Sequence, residues 1–123
     1  MGDIQKITDE INNWVKARGW EKFQKPKDLA ISLSLECAEV LEHFQWKSEK
    51  QFKDYFKDNK EAVSDELADT AIYLFKLADK LKIDLPKAIV EKLAKASKKY
   101  PVSTMRDDSK LSEYFKIKKS ARQ

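Results

Sequence analysis

Apolar side chains recur along this chain at helical spacing. Ile4, Ile7, Ile11, Trp14 and Val15 fall at i, i+3, i+7, i+10 and i+11, which is one face of an amphipathic helix over residues 4–17. Gly19 breaks the pattern, and Arg18-Gly19-Trp20 opens a connection. Pro26 suits the first turn of a second helix, where its missing N–H costs nothing. That helix is expected from Pro26 to Trp46. Leu29, Leu33, Val40 and Phe44 share one face, and Ile31, Leu35 and Ala38 form a second apolar strip across it. A helix apolar on two sides is buried on two sides, here by the bundle core and by a partner subunit.

Ser48 and Gln51 have capping-box spacing and predict a short helix over 48–58, with Phe52, Tyr55 and Phe56 on its apolar side. A further helix is expected from Lys60 to Lys82, with Val63, Leu67, Ala71, Leu74, Ala78 and Leu81 toward the core. Asp84-Leu85-Pro86 reads as the cap and first turn of a last main helix ending near Lys99, with Ile89, Leu93, Ala96 and Tyr100 inward. Pro101 stops it. The fold class is all-α: a four-helix-bundle core, a short extra helix and a polar C-terminal tail. The domain is expected over residues 1–105. Residues 106–123 read as a basic, flexible tail with one helical turn around Leu111–Phe115.

Composition narrows the chemistry. The chain has 123 residues, enough for one domain with a modest core. Two Gly and three Pro argue against turn-rich all-β folds and Gly-rich phosphate loops. A single Cys excludes an intramolecular disulfide framework and a Cys-rich zinc site, and suits a reducing compartment. The absence of a long apolar run and of a signal-like N-terminus points to the cytoplasm, with no membrane partner. The net charge of +4 invites a nucleic-acid reading, but residues 106–123 carry six basic and three acidic side chains, so three of those four charges lie in the tail. The near-neutral body offers no basic stripe, and no nucleic-acid partner is expected.

The informative polar positions are carboxylates. Glu36 and Glu39 are three apart on the second helix, on a narrow acidic strip with Ser32 and His43 between the two apolar strips. Glu66 and Asp69 repeat the arrangement on the next long helix, and Tyr73 and Lys76 continue their line. A single such pair is common on helix surfaces. Two pairs on inward strips, with 26 residues between Glu39 and Glu66, are not. Four carboxylates buried together cannot all stay ionised unaided, because repulsion and desolvation raise their pKa values. A divalent cation removes the conflict, and all-oxygen ligation suits Mg2+ or Mn2+. A di-iron bundle would need Glu-x-x-His pairs on two helices. The only His, His43, follows Glu39 by four positions, so that chemistry is set aside. His43 better suits a hydrogen bond at the helix end. A non-enzymatic helical interaction module, with the carboxylates in a polar layer, is the alternative from another class.

SLECAEVLEHFQW followed by VSDELADTAIYLFKLADKLKIDLPKAIVEKLAKASKKYP resembles the MazG-like all-α nucleoside triphosphate pyrophosphohydrolases, nearest the dCTP pyrophosphatase-like branch. The resemblance runs from Ile4 to Pro101, and Glu36, Glu39, Glu66 and Asp69 fill the family's ExxE…ExxD signature. It implies Mg2+-dependent hydrolysis of a (deoxy)nucleoside triphosphate to the monophosphate and pyrophosphate, with a dCTP-like pyrimidine favoured, in nucleotide-pool sanitation. It implies metal ligation by Glu36, Glu39, Glu66 and Asp69. Glu39 is the candidate for a carboxylate that acts instead as base to the attacking water. Lys92 and Lys99 match phosphate-binding positions, with Lys95 nearby as a further candidate, and Trp20, Trp46 and Tyr73 match base-binding positions. The resemblance also implies a homodimer or homotetramer. Three positions depart from the dCTP-type pattern. Ala96 stands where relatives commonly carry Asn, and Ile11 and Gln24 stand where vertebrate members carry His. These departures open a second substrate reading, dUTP or a modified nucleotide.

Overall fold

The computed structural model describes residues 2–106 and 111–121. Among them the regular structure is helical. The chain forms two compact units, residues 1–84 and 85–123.

The first unit contains α1 (Asp3–Ala17), a 3₁₀ turn (Glu21–Phe23), α2 (Pro26–Glu42) and α3 (Glu49–Lys80). Helix α1 ends in a Schellman motif. Gly19 takes φ +67, its N–H donates to Lys16 O at 3.0 Å, and Trp20 N–H reaches back to Val15 O at 3.2 Å. Gly bears that left-handed backbone without a Cβ penalty. The reversal brings the Trp20 ring edge-on to Trp14, with centroids 5.4 Å apart. Pro26 occupies the first turn of α2, as the sequence predicts.

Helix α2 stops at Glu42, four residues short of the expected Trp46. There the N–H groups of Phe44 and Gln45 both donate to Leu41 O at 2.9 Å, and Trp46 turns the chain at φ +67. Ser48 then caps α3 with a complete capping box. Ser48 Oγ accepts from Gln51 N–H at 3.2 Å, and Gln51 Oε1 accepts from Ser48 N–H at 2.7 Å. The two helices expected over 48–58 and 60–82 meet at a non-helical residue, Asn59 (φ −126, ψ 19), which kinks α3 where the sequence places the break. Its side chain explains the kink: Asn59 Nδ2 donates to Tyr55 O at 2.8 Å, competing with the helical ladder. Phe44 stacks on Phe52 at 4.0 Å, and His43 Nδ1 meets Tyr55 Oη at 2.6 Å, so the start of α3 is clamped onto the end of α2.

The buried core of this unit is small: Val15, Leu29, Val63 and Ala78, with Thr8 satisfied by donating to Ile4 O at 2.7 Å. Leu29 is its centre at 2% exposure. Leu67, Leu74 and Leu81, expected in the core, are exposed, as is the second strip of Ile31, Leu35 and Ala38. Within this unit, α1, α2 and α3 leave part of each apolar face uncovered.

The second unit contains α4 (Leu85–Lys99), α5 (Val102–Met105) and α6 (Leu111–Ala121). Pro101 separates α4 from α5, as expected. Ile89 and Leu93, expected to face inward, are exposed. Helix α6 is longer than the single turn foreseen.

Candidate active site

Glu36 and Glu39 come from α2, and Glu66 and Asp69 from α3 beyond its kink. Spacing of three puts each pair on one side of its helix, and the packing of α2 on α3 turns the sides together. Glu36, Glu39 and Glu66 each bring one carboxylate oxygen within 4.8 Å of the other two. Asp69 lies outside that triplet, although its charge reaches both Glu36 and Glu66.

The electrostatics are those of crowded carboxylates. Burial holds the Glu36 carboxyl above its usual range, helped by a hydrogen bond shared with Glu39 and by the charges of Glu39 and Asp69. Glu66 is pushed up to about 7, first by its hydrogen bond with Glu39, then by burial and the charges of Glu39, Asp69 and Glu36. Like charges this close retain a proton between them unless a cation replaces it. Glu36 Oε2 and Glu66 Oε2 are buried with no hydrogen-bond partner. Two orphaned oxygens in an all-carboxylate set fit a hard divalent ion such as Mg2+ or Mn2+.

Beside the carboxylates lies a cavity of about 360 Å3. Trp14, Trp20, Phe23 and Tyr73 give it aromatic walls, and Asp69 borders it on the carboxylate side. Gln24, Asp28, Ser32 and Lys76 add polar groups. Two of the three aromatics matched to base binding, Trp20 and Tyr73, are therefore brought together here. Trp46 is not; it stands 90% exposed at the α2–α3 turn. Lys92, Lys95 and Lys99 are exposed on α4 in the second unit. His43 makes its hydrogen bond to Tyr55 across the helix pair.

Sequence reasoning missed Trp14, Phe23 and Asp28 as cavity residues. Trp14 sits on the apolar face of α1, where spacing alone reads it as core. Ser32 and Lys76 left a signal, because they continue the two carboxylate lines along their helices. Lys76 is 8% exposed, and burial lowers its pKa. Its ammonium lies 4.7 Å from the centre of the Tyr73 ring.

The MazG-like family profile matches residues 31–115. The chain is 36% identical over 108 residues to dCTP pyrophosphatase 1 of Rattus norvegicus, covering 86% of this chain and 62% of that protein. It is 32% identical over 112 residues to the Homo sapiens protein of the same name, covering 89% and 64%. The chain thus spans less than two thirds of the length of these curated relatives. Its fold matches a crystal structure of a pyrophosphatase from Archaeoglobus fulgidus with a TM-score of 0.76 at 36% identity, covering 82% of this chain and 94% of that one. No helix among the described residues is long and apolar enough to cross a membrane.

Proposed function

The chain belongs to the MazG-like family, and on that premise we propose that it is a hydrolase converting a (deoxy)nucleoside triphosphate to the monophosphate and pyrophosphate. The observation that carries this reading is the convergence of Glu36, Glu39 and Glu66 within 4.8 Å, with unpaired buried oxygens, next to an aromatic cavity.

Glu36, Glu39, Glu66 and Asp69 would hold Mg2+ or Mn2+. Bound there, the cation neutralises triphosphate charge and makes a water more acidic. Glu39 is the exposed member of the triplet, with a carboxylate oxygen within 4.8 Å of both neighbours. A carboxylate so placed can accept the proton of a water attacking the α-phosphorus, and the others keep it oriented. Trp20 and Tyr73 offer flat faces to a base, each stack worth about 1–3 kcal/mol. Lys92, Lys95 and Lys99 are proposed to hold the phosphates, and Trp46 is proposed to complete the base site. A dCTP-like pyrimidine is the proposed substrate, supported by the names of the curated relatives.

We also propose a homodimer or homotetramer in the cytoplasm. The exposed strip of Ile31, Leu35 and Ala38 supports self-association, since a contiguous apolar helix face in water marks an interface. The test of the activity is direct. Purified protein, Mg2+ and a panel of (d)NTPs are assayed for pyrophosphate. Turnover that disappears in Glu39→Ala is expected, and turnover unchanged in that variant, or none with any nucleotide, overturns the reading.

A further inference from the structure

Lys76 is nearly buried, lines the aromatic cavity and has no hydrogen-bond or ion-pair partner among the described residues. Asp69 borders this cavity, and Glu21 and Asp79 border a second one that Lys76 also lines; a nearly buried ammonium without a hydrogen bond is costly unless a ligand serves it. The Lys76 ammonium lies over the Tyr73 ring face, 4.7 Å from the centroid. Gln24 has the complementary defect. Its Nε2 is committed to Trp20 O at 3.2 Å, which leaves Oε1 buried and unpaired, and the residue borders both this cavity and a second, polar one together with Lys76. Lys76 and Gln24 therefore both border the aromatic cavity, and neither the ammonium nor Oε1 has a hydrogen-bond partner among the described residues.

Their place along α3 adds direction. Asp69, Tyr73 and Lys76 follow one another on one side of the helix. Lys76 lies seven positions after Asp69, about 10 Å along the axis. A nucleotide laid along this line has its phosphates at the carboxylates, its ring against Tyr73 and its outer edge at Lys76.

We propose that Lys76 and Gln24 read the base edge, with Lys76 Nζ donating to the ring nitrogen and carbonyl oxygen of a cytosine and Gln24 Oε1 accepting from its exocyclic amine. The proposal rests on the nucleotide pyrophosphohydrolase reading above. Cytosine presents one donor beside two adjacent acceptors, which matches one amide oxygen beside one ammonium. Uracil and thymine present a ring N–H flanked by two carbonyls, which press against Gln24 Oε1. Guanine offers the ammonium one acceptor where cytosine offers two. A charge-assisted bond in a confined cavity gives this match weight, because uracil or thymine leaves Gln24 Oε1 facing a carbonyl with no donor, and guanine gives the ammonium a single acceptor. Gln24 and Lys76 thus supply a base-reading pair in a chain whose Ile11 cannot hydrogen-bond a base.

The test compares kcat/KM for dCTP, dUTP, dTTP and dGTP in the full chain with Mg2+, for the wild type, Lys76→Met and Gln24→Leu. The wild type should favour dCTP. Each variant should lose about tenfold in kcat/KM for dCTP, mainly through KM, with a much smaller change for dUTP. Equal losses on every nucleotide, an unchanged dCTP-to-dUTP ratio, or a wild-type preference for another base would overturn it. Should a variant melt early, the same comparison is made by dCMP and dUMP competition against wild-type turnover. Quenching of Trp14 and Trp20 fluorescence by dCTP and dUTP supplies a readout independent of turnover. No turnover with selective quenching lost in Lys76→Met would sink the hydrolase reading and keep the base-reading pair. Quenching that does not distinguish the two nucleotides would remove the pair.

Discussion

Glu36 and Glu66, on different helices, each bury an Oε2 without a partner, and their carboxylates converge within 4.8 Å. The protein thus carries a local conflict that a cation would relieve. In metal-free protein at pH 8, Glu66→Gln should raise the melting temperature, because it removes one charge from the cluster. The same variant should lose most of the stabilisation that Mn2+ or Mg2+ gives the wild type. Thermal melts with and without the ions check both. A variant melting below the metal-free wild type counts against the conflict.

The metal-free stability should also depend on pH in a definite direction. Glu66 titrates near 7 when folded, against a usual 4.5, and Glu36 is shifted the same way. The folded state therefore binds the proton more tightly. The stability it gains is fully present below about 4.5 and is lost as pH rises through 7. Denaturation in urea between pH 4.5 and 8 with a chelator should show this fall, and Glu66→Gln should flatten it. Saturating Mn2+ should also flatten it, since the cation takes the proton's place.

Leu29 anchors a core with few members, so its loss should be felt. Leu29→Ala should cost about 2–5 kcal/mol. Chemical denaturation measures it, and a cost under 1 kcal/mol would mean that the centre of the first unit lies elsewhere.

The Ser48 capping box fixes where α3 begins. Ser48→Ala should cost about 0.5–2 kcal/mol, with Ser48→Asp restoring most of it. The pair of variants separates a lost cap from a general surface effect.

Leu35 is 60% exposed in the apolar strip of α2. Leu35→Glu should shift the protein to a smaller species in light scattering, with its helicity unchanged. A single mass for both proteins would place any association on another surface.

The sequence by itself determined the helices and the carboxylate pairs. Apolar spacing, Pro26, the Ser48–Gln51 box and Pro101 are local signals, and each acts within a turn or two of where it is read. The ExxE and ExxD spacings likewise fix which side chains share a helix face. What needed the tertiary structure was which faces meet and which stay open. Leu67, Leu74, Ile89 and Leu93 have core periodicity and yet lie exposed, because periodicity records that a face is apolar and not what covers it. Trp14 and Trp20 become cavity walls only because Gly19 turns the chain back upon α1. Gln24 and Lys76 stand out in the sequence only by position, Gln24 as a departure from the family pattern and Lys76 on the carboxylate line. Their unpaired polar atoms acquire meaning only in a shared cavity, since hydrogen-bond satisfaction is a property of three-dimensional neighbours and not of spacing along the chain.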